Sequence, residues 1–223
     1  ERARKGAKGN DSVEKAAVGL CERLVAALDG GKRAITVEPE GNDEPAVLRD
    51  LCLITTKPMF YVCNLKEDQL ADVDSDALFQ KVKTLAASEG AQAVPICAAI
   101  EAEIMQLALE ERGEFLESVG LQEPGLNQVI QTGYTLLDLI TYFTAGKQEV
   151  RAWTISRGTK APGAAGKIHT DFERGFIKAE VTWWEDRIAL QTEAACKAAG
   201  KTGTEGKEYV VKDGDVVYFR FNV

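Results

Sequence analysis

The sequence predicts a parallel α/β unit followed by a small α+β roll, and three observations carry this expectation. Met59-Phe60-Tyr61-Val62-Cys63 is a continuous apolar run of strand length that stops at Asn64, and Ala93-Val94-Pro95-Ile96-Cys97 is a second. Between them Leu78, Val82, Leu85 and Ala86 recur at helical spacing, and another helical pattern begins near Ala99, so strand, helix, strand and helix follow in order. Beyond Tyr142 the strand-like runs Val150 to Ile155, Ile177 to Val181, Tyr209 to Val211 and Val216 to Phe221 alternate with Gly and Asp turns. Four or five strands with one or two helices in about 80 residues fit an α+β roll such as the β-grasp.

The elements upstream are helical. The chain opens without methionine on a basic polar stretch from Glu1 to Lys8, which reads as a chain entered midway. Asp11 and Glu14 form a capping pair ahead of Val13, Ala17, Leu20, Leu24 and Leu28, and Gly30-Gly31 stops the run. The narrow apolar stripe, with Glu14, Lys15, Glu22 and Arg23 opposite, suits a coiled-coil arm whose partner helix lies upstream, and equally an ordinary packed surface helix. An acidic, breaker-rich loop from Glu38 to Glu44 precedes a short helix from Pro45 to Leu53. The run ending at Cys63 then reads as a central strand covered on both faces. Helical patterns continue through Leu116 and from Leu126 to about Ile140.

With 223 residues, 45% of them hydrophobic, the chain can fill one large core or two modest ones. No run of about 18 apolar residues is present and the N-terminus has no apolar signal core, so a membrane partner is not expected and the cytoplasm is the expected location. Five dispersed cysteines without a C-x-x-C pair read as reduced core residues. A net charge of −8 argues against sequence-specific DNA binding or general nucleic-acid binding through phosphates. The charge is uneven. Residues 1–137 hold 14 basic against 23 acidic side chains and the remainder 13 against 12, so any RNA-facing surface is expected in the C-terminal third. There Arg151, Arg157, Lys160, Lys167, Arg174 and Lys178 face only Asp171 and Glu173 in sequence.

Ligands of open α/β sheets bind beyond the carboxyl ends of the strands, which puts Asn64-Leu65-Lys66-Glu67 where a nucleotide base can be read. The corresponding GTPase loop is Asn-Lys-x-Asp, whose carboxylate accepts from the guanine edge. Here leucine takes the second place and the longer Glu67 the fourth, which weakens the case for guanine without establishing adenine. The bland reading of the same four residues is an ordinary exit from a strand.

The phrase from Leu53 to Glu67, LITTKPMFYVCNLKE, resembles the stretch of YchF-type Obg-like ATPases in which Asn-x-x-Glu replaces the GTPase motif. Phe143 to Gly146, Val150 to Ile155, Gly158 to Glu173 and Tyr209 to Asn222 are similar to that family's TGS domain. The resemblance implies a partial P-loop nucleotide-binding domain with a helical arm and a β-grasp TGS domain. It divides the chain into the end of a coiled-coil insert with its linker (1–44), the C-terminal part of the nucleotide domain (45–137) and the TGS domain (138–223). It implies an ATPase of the translation-factor class that uses ATP and magnesium, and ribosome binding through the TGS domain. By position Asn64 and Leu65 would contact adenine, Leu65 partly through its backbone, with Glu67 completing the motif; Ala98 and Ala99 would belong to the last base-side loop, where Cys97 stands in place of the usual serine.

Hydrolysis needs a phosphate site as well. Ala195-Cys196-Lys197-Ala198-Ala199-Gly200-Lys201-Thr202 approaches G-x-x-x-x-G-K-[ST] but begins with alanine, follows a helical pattern and leads into a loop over Gly203 to Gly206. It reads as a decoy. Neither catalysis nor a tightly bound nucleotide is expected of this 223-residue chain alone, and the alternative function is a non-catalytic TGS module docking on ribosome, RNA or protein. His169, the sole histidine, ends a short helical pattern and reads as structural. Trp153 reads as core, and one of Trp183-Trp184 as an exposed candidate for stacking on RNA bases.

Overall fold

The computed structural model describes residues 12–70, 72–146 and 149–222. The chain divides into two compact units, residues 1–59 and 60–223. Glu1 to Lys8 and the Asp11 half of the capping pair lie outside the described residues.

In the first unit, helix α1 (Ser12–Asp29) buries Ala17, Leu20 and Leu24. Leu20, Leu24 and Ala34 form a small core with Val37, Val47, Leu48 and Leu53, so the segment after the helix folds back on the apolar stripe. Helix α2 (Glu44–Asp50) begins with Pro45 in its first turn, where a missing N–H costs nothing. Glu44 is buried and hydrogen-bonded to Arg23, and it accepts the Glu40 N–H at 2.6 Å.

The second unit opens with β1 (Tyr61–Asn64), paired in parallel with β2 (Ala93–Ile96), Asn64 opposite Ile96. Between them run the short helix α3 (Glu67–Leu70) and helix α4 (Ala77–Ser88). After β2 come α5 (Ala98–Gln106), α6 (Arg112–Ser118) and α7 (Gly125–Leu136). Cys97, Ile100, Ile104 and Leu116 form their buried cluster, with Leu70 and Val119 packed against it. The expectation that β1 is covered on both faces does not hold. Its residues alternate between half-buried and exposed, and Val62 is 46% exposed, because β1 and β2 form a two-stranded sheet.

A five-stranded mixed sheet follows, built from β3 (Leu139–Ala145), β4 (Val150–Ser156), β5 (Phe176–Trp183), β6 (Thr202–Glu205) and β7 (Asp215–Phe221) in the order β4-β3-β7-β5-β6. The central pair β3 and β7 is parallel and the others antiparallel. Helix α8 (Ala161–Ile168) lays Ala161, Ala164 and Ala165 against Ile140, Tyr142, Ile155, Ala179, Val217 and Phe219. Tyr142 is fully buried and its hydroxyl donates to the Ala164 carbonyl at 2.8 Å, so burial holds the phenol protonated far above its ordinary range. Helices α9 (Thr170–Arg174), α10 (Trp184–Leu190) and α11 (Glu193–Ala198) complete the unit.

Three strand expectations change. The helical pattern read to Ile140 ends at Leu136, because Asp138 adopts φ 52° and turns the chain into β3. Tyr209 to Val211 is no ladder strand. Its backbone is spent on the entry to α8, the Tyr209 carbonyl accepting from Ala161 N and Val211 N donating to Thr159 O, with a single bridge from Lys160 to Val210. Gly203 to Glu205, expected as loop, is part of edge strand β6, whose polar Thr-Gly-Thr-Glu sequence carries no apolar signal.

Candidate functional site

The carboxyl ends of β1 and β2 set the geometry. Leu65 N donates to Ile96 O at 2.8 Å, extending the parallel ladder by one bond past Asn64. The Asn64 Oδ1 then accepts the Ala98 N–H at 3.0 Å. A backbone N–H can only donate, so the amide oxygen is fixed on Ala98 and the Asn64 NH₂ group is left to donate outward. Ala98 is the first residue of α5, and its N–H is one of the four that a helix start cannot satisfy internally. Ala99, exposed beside it, presents the next N–H of that first turn. Cys97 is buried in the apolar cluster, so its thiol serves packing.

Leu65 has spent its N–H on Ile96, and its carbonyl is the backbone group it can offer. Glu67 is exposed at the first residue of α3. Lys66, Glu67 and Asp68 form one wall of an open depression of about 560 Å³ whose other wall is Ser118 and Val119 at the end of α6. The structure therefore joins Asn64 to Ala98 directly, puts Ala99 next to that bond, and sets Leu65 and Glu67 on the loop leading out of the same strand.

Three positioning residues escaped the sequence reading. Gln69 Oε1 accepts Lys66 N at 2.9 Å while its Nε2 donates to Asp76 Oδ2 at 2.8 Å. Asp76 Oδ1 caps α4 by accepting Phe79 N at 2.7 Å, and this bond, with the one from Gln69, holds its carboxyl below the ordinary range. The Asp76 cap is visible in sequence as an aspartate just ahead of a helical run; the reach of Gln69 is not. Glu101, on α5, accepts Gly125 N at 2.7 Å and Leu126 N at 3.3 Å and so caps α7 across 24 residues of chain.

The P-loop-like string sits in the wrong context for phosphate. It runs from helix α11 through a turn into strand β6, the reverse of the strand, loop and helix that a phosphate cradle requires. This string does not fit the phosphates of a nucleotide. His169 caps α9, its Nδ1 accepting Asp171 N at 3.2 Å, which is a structural use.

A family model named YchF-GTPase_C and described as "Protein of unknown function (DUF933)" matches residues 139–222. "Ribosome-binding ATPase YchF" of Escherichia coli O157:H7 is 49% identical over 224 residues, covering all of this chain and 60% of that protein. The Bacillus subtilis (strain 168) protein of the same name is 47% identical with the same coverage. Over its whole length the chain is strongly similar to proteins of the YchF family. It spans 60% of the length of these relatives. "Obg-like ATPase 1" of Rattus norvegicus is 39% identical over 96% of the chain and 54% of that relative. Among solved structures, the Schizosaccharomyces pombe YchF GTPase superposes with a TM-score of 0.77 at 35% identity, over 93% of this chain and 55% of that one. A GTP binding protein from Pyrococcus horikoshii OT3 shares the fold alone, at TM-score 0.54 and 19% identity. Among the described residues no helix is long and apolar enough to cross a membrane.

Proposed function

We propose that this chain is the base-reading and TGS-bearing portion of a cytoplasmic, ribosome-associated ATPase that selects ATP over GTP. In this reading residues 1–44 end a coiled-coil insert, 45–137 finish a P-loop nucleotide domain, and 138–223 form a β-grasp TGS domain that meets the ribosome. The phosphate and magnesium contacts come from outside the chain. The observation that carries the reading is the Asn64 to Ala98 bond, which fixes two strand-end loops around one point and leaves an NH₂ group facing outward.

The preference for adenine rests on Leu65. With its N–H committed to Ile96, its carbonyl can only accept, which suits the amino group of adenine and opposes the carbonyl oxygen of guanine. The names of the relatives divide between ATPase and GTPase, so base preference is the property to measure. The test is calorimetric titration with ATP and GTP in magnesium buffer, on protein purified from its own cells after its intact mass is recorded. Tighter binding of ATP supports the reading, and tighter binding of GTP overturns it. A native mass of 24.2 kDa with neither nucleotide bound supports the second reading, a TGS module that docks without turnover, which the helix-to-strand context of the P-loop-like string favours.

A further inference from the structure

We propose that the outer edge of β4 pairs antiparallel with β4 of a second copy of this chain, joining two five-stranded sheets across a two-fold axis at Trp153. β4 is an edge strand, bonded to β3 on one side only. Arg157 N donates to Asp138 O at 2.8 Å and Gly146 N to Glu149 O at 2.9 Å, which places the odd-numbered residues of β4 in the bonded pairs of its antiparallel ladder with β3. The even-numbered residues therefore turn their backbone groups outward. Among the described residues, the N–H and C=O groups of Val150, Ala152 and Thr154 and the Ser156 N–H meet no partner, while Ser156 O accepts from Thr159 N and Oγ1. Open edges are ordinarily guarded by shortness, a proline, a bulge or a charge. The opposite edge, β6, is four residues long and ends in Glu205, whereas β4 runs seven residues in unbroken register with β3. Its one charge, Arg151, is folded over the Trp153 ring at 4.2 Å and does not guard the edge.

Charge selects the occupant and the register. Two such edges bond only when even-numbered residues oppose even-numbered ones, and an axis at Trp153 sets Ala152 opposite Thr154 and Val150 opposite Ser156 of the second copy. In that register Glu149 stands opposite Arg157 of the second copy at both ends of the strand pair. Their side chains are 65% and 62% exposed, free to meet. Moving the axis to Ala152 would oppose Glu149 to Ile155, and moving it to Thr154 would oppose Arg151 to Arg157. A strand that is acidic at one end and basic at the other answers its own reverse, so a second copy fits this edge better than an unrelated peptide.

The dimer does not depend on the nucleotide or ribosome readings. Sedimentation equilibrium of the full chain should give a mass that climbs from 24.2 kDa toward twice that value between about 1 and 500 µM. Ala152→Pro removes an outward N–H and leaves the ladder with β3 whole, so it should stay monomeric with an unchanged far-ultraviolet circular dichroism spectrum. Glu149→Arg should weaken association about tenfold through repulsion at both ends, and adding Arg157→Glu should restore it. Eight residues of strand, about 26 Å, separate the two positions within one chain, so restoration requires contact between copies. Should Ala152→Pro disturb the spectrum, the charge exchange decides alone. A chain that stays monomeric throughout the concentration range, a dimer that persists in Ala152→Pro, or a charge exchange that fails to restore association would overturn the proposal.

Discussion

Glu101 and Gly125 are joined by a 2.7 Å hydrogen bond from the Gly125 N–H to Oε1, and the same carboxylate receives Leu126 N through Oε2. Glu101 stands one turn inside the helix that begins at Ala98, and α7 leads directly into β3. One side chain thus ties α5 to the helix entering the five-stranded sheet. Removing an N-terminal cap acceptor costs about 1 kcal/mol. Glu101→Ala should lower unfolding stability by about that amount in urea denaturation, and Glu101→Gln, which keeps one acceptor oxygen, by less. Gly125→Ala tests the same contact from the other side, since its Cβ would lie 3.1 Å from Glu101 Oε1 and 3.3 Å from Ile96 Cγ2. Equal stability of all three variants would show that the cap does not hold α7.

Asn64→Ala should expose the Ala98 amide. The lost bond is worth about 1 kcal/mol, so hydrogen exchange at Ala98 should accelerate about fivefold, with the Leu65 amide, bonded to Ile96, unchanged. Asn64→Asp keeps an acceptor oxygen and should keep Ala98 protected, while losing the NH₂ donor. Protection of Ala98 in the alanine variant would remove Asn64 as the link between the loops.

The first unit should lose stability in acid through Glu44. Its carboxyl is held below its ordinary value of 4.5, chiefly by the Glu40 N–H and then by the Arg23 guanidinium. A lowered folded-state value means the unfolded chain binds the proton more readily, so the contribution is complete above the unfolded value and is lost as pH falls through the folded one. Glu44→Gln should therefore melt below wild type near neutrality, and the gap should narrow on acidification below the ordinary value of 4.5. A gap that stays constant over this range would assign the effect to packing alone.

How far the sequence could be read depended on whether a residue's task was local. The run to Cys63 and its stop at Asn64 placed β1 to within two residues, because apolar run and polar exit are adjacent in the chain. Helix α1 was legible for the same reason. The strand β3 was not, because Leu139 and Ile140 extend the apolar spacing of α7 and only pairing with Thr154 to Ser156 across the turn makes them a strand. Strand β6 has no apolar residue to announce it and forms because β5 offers an open edge. In the site, Asn64 and Ala98 are each marked by their strand ends, but the bond between them spans 34 residues, as the Glu101 cap spans 24, and neither distance leaves a trace in spacing.

Gly214 should be among the least replaceable positions of the five-stranded sheet. It adopts φ 89°, and a Cβ there would meet Trp184 Cδ1 at 2.6 Å and the Trp183 ring at 3.0 Å. Its neighbours tighten the constraint. Gly214 N donates to Thr141 O at 2.8 Å, Asp213 Oδ1 accepts Thr141 N at 2.7 Å, and Asp215 Oδ2 receives both the Tyr209 hydroxyl and Lys212 N. The turn is thereby pinned to β3 and cannot shift to admit a methyl group. Gly214→Ala combines an unfavourable backbone conformation with overpacking, each costing about 1–3 kcal/mol. Urea denaturation should show a loss of at least about 2 kcal/mol, with tryptophan emission shifted to the red as the two indoles are displaced. Gly206→Ala provides the comparison, since a Cβ there meets nothing within 4 Å and its φ is not in the left-handed region, so its stability should stay within about 0.5 kcal/mol of wild type. Equal tolerance at both positions would mean that the Lys212 to Asp215 turn relaxes freely and that the Trp183-Trp184 pair is not seated on it.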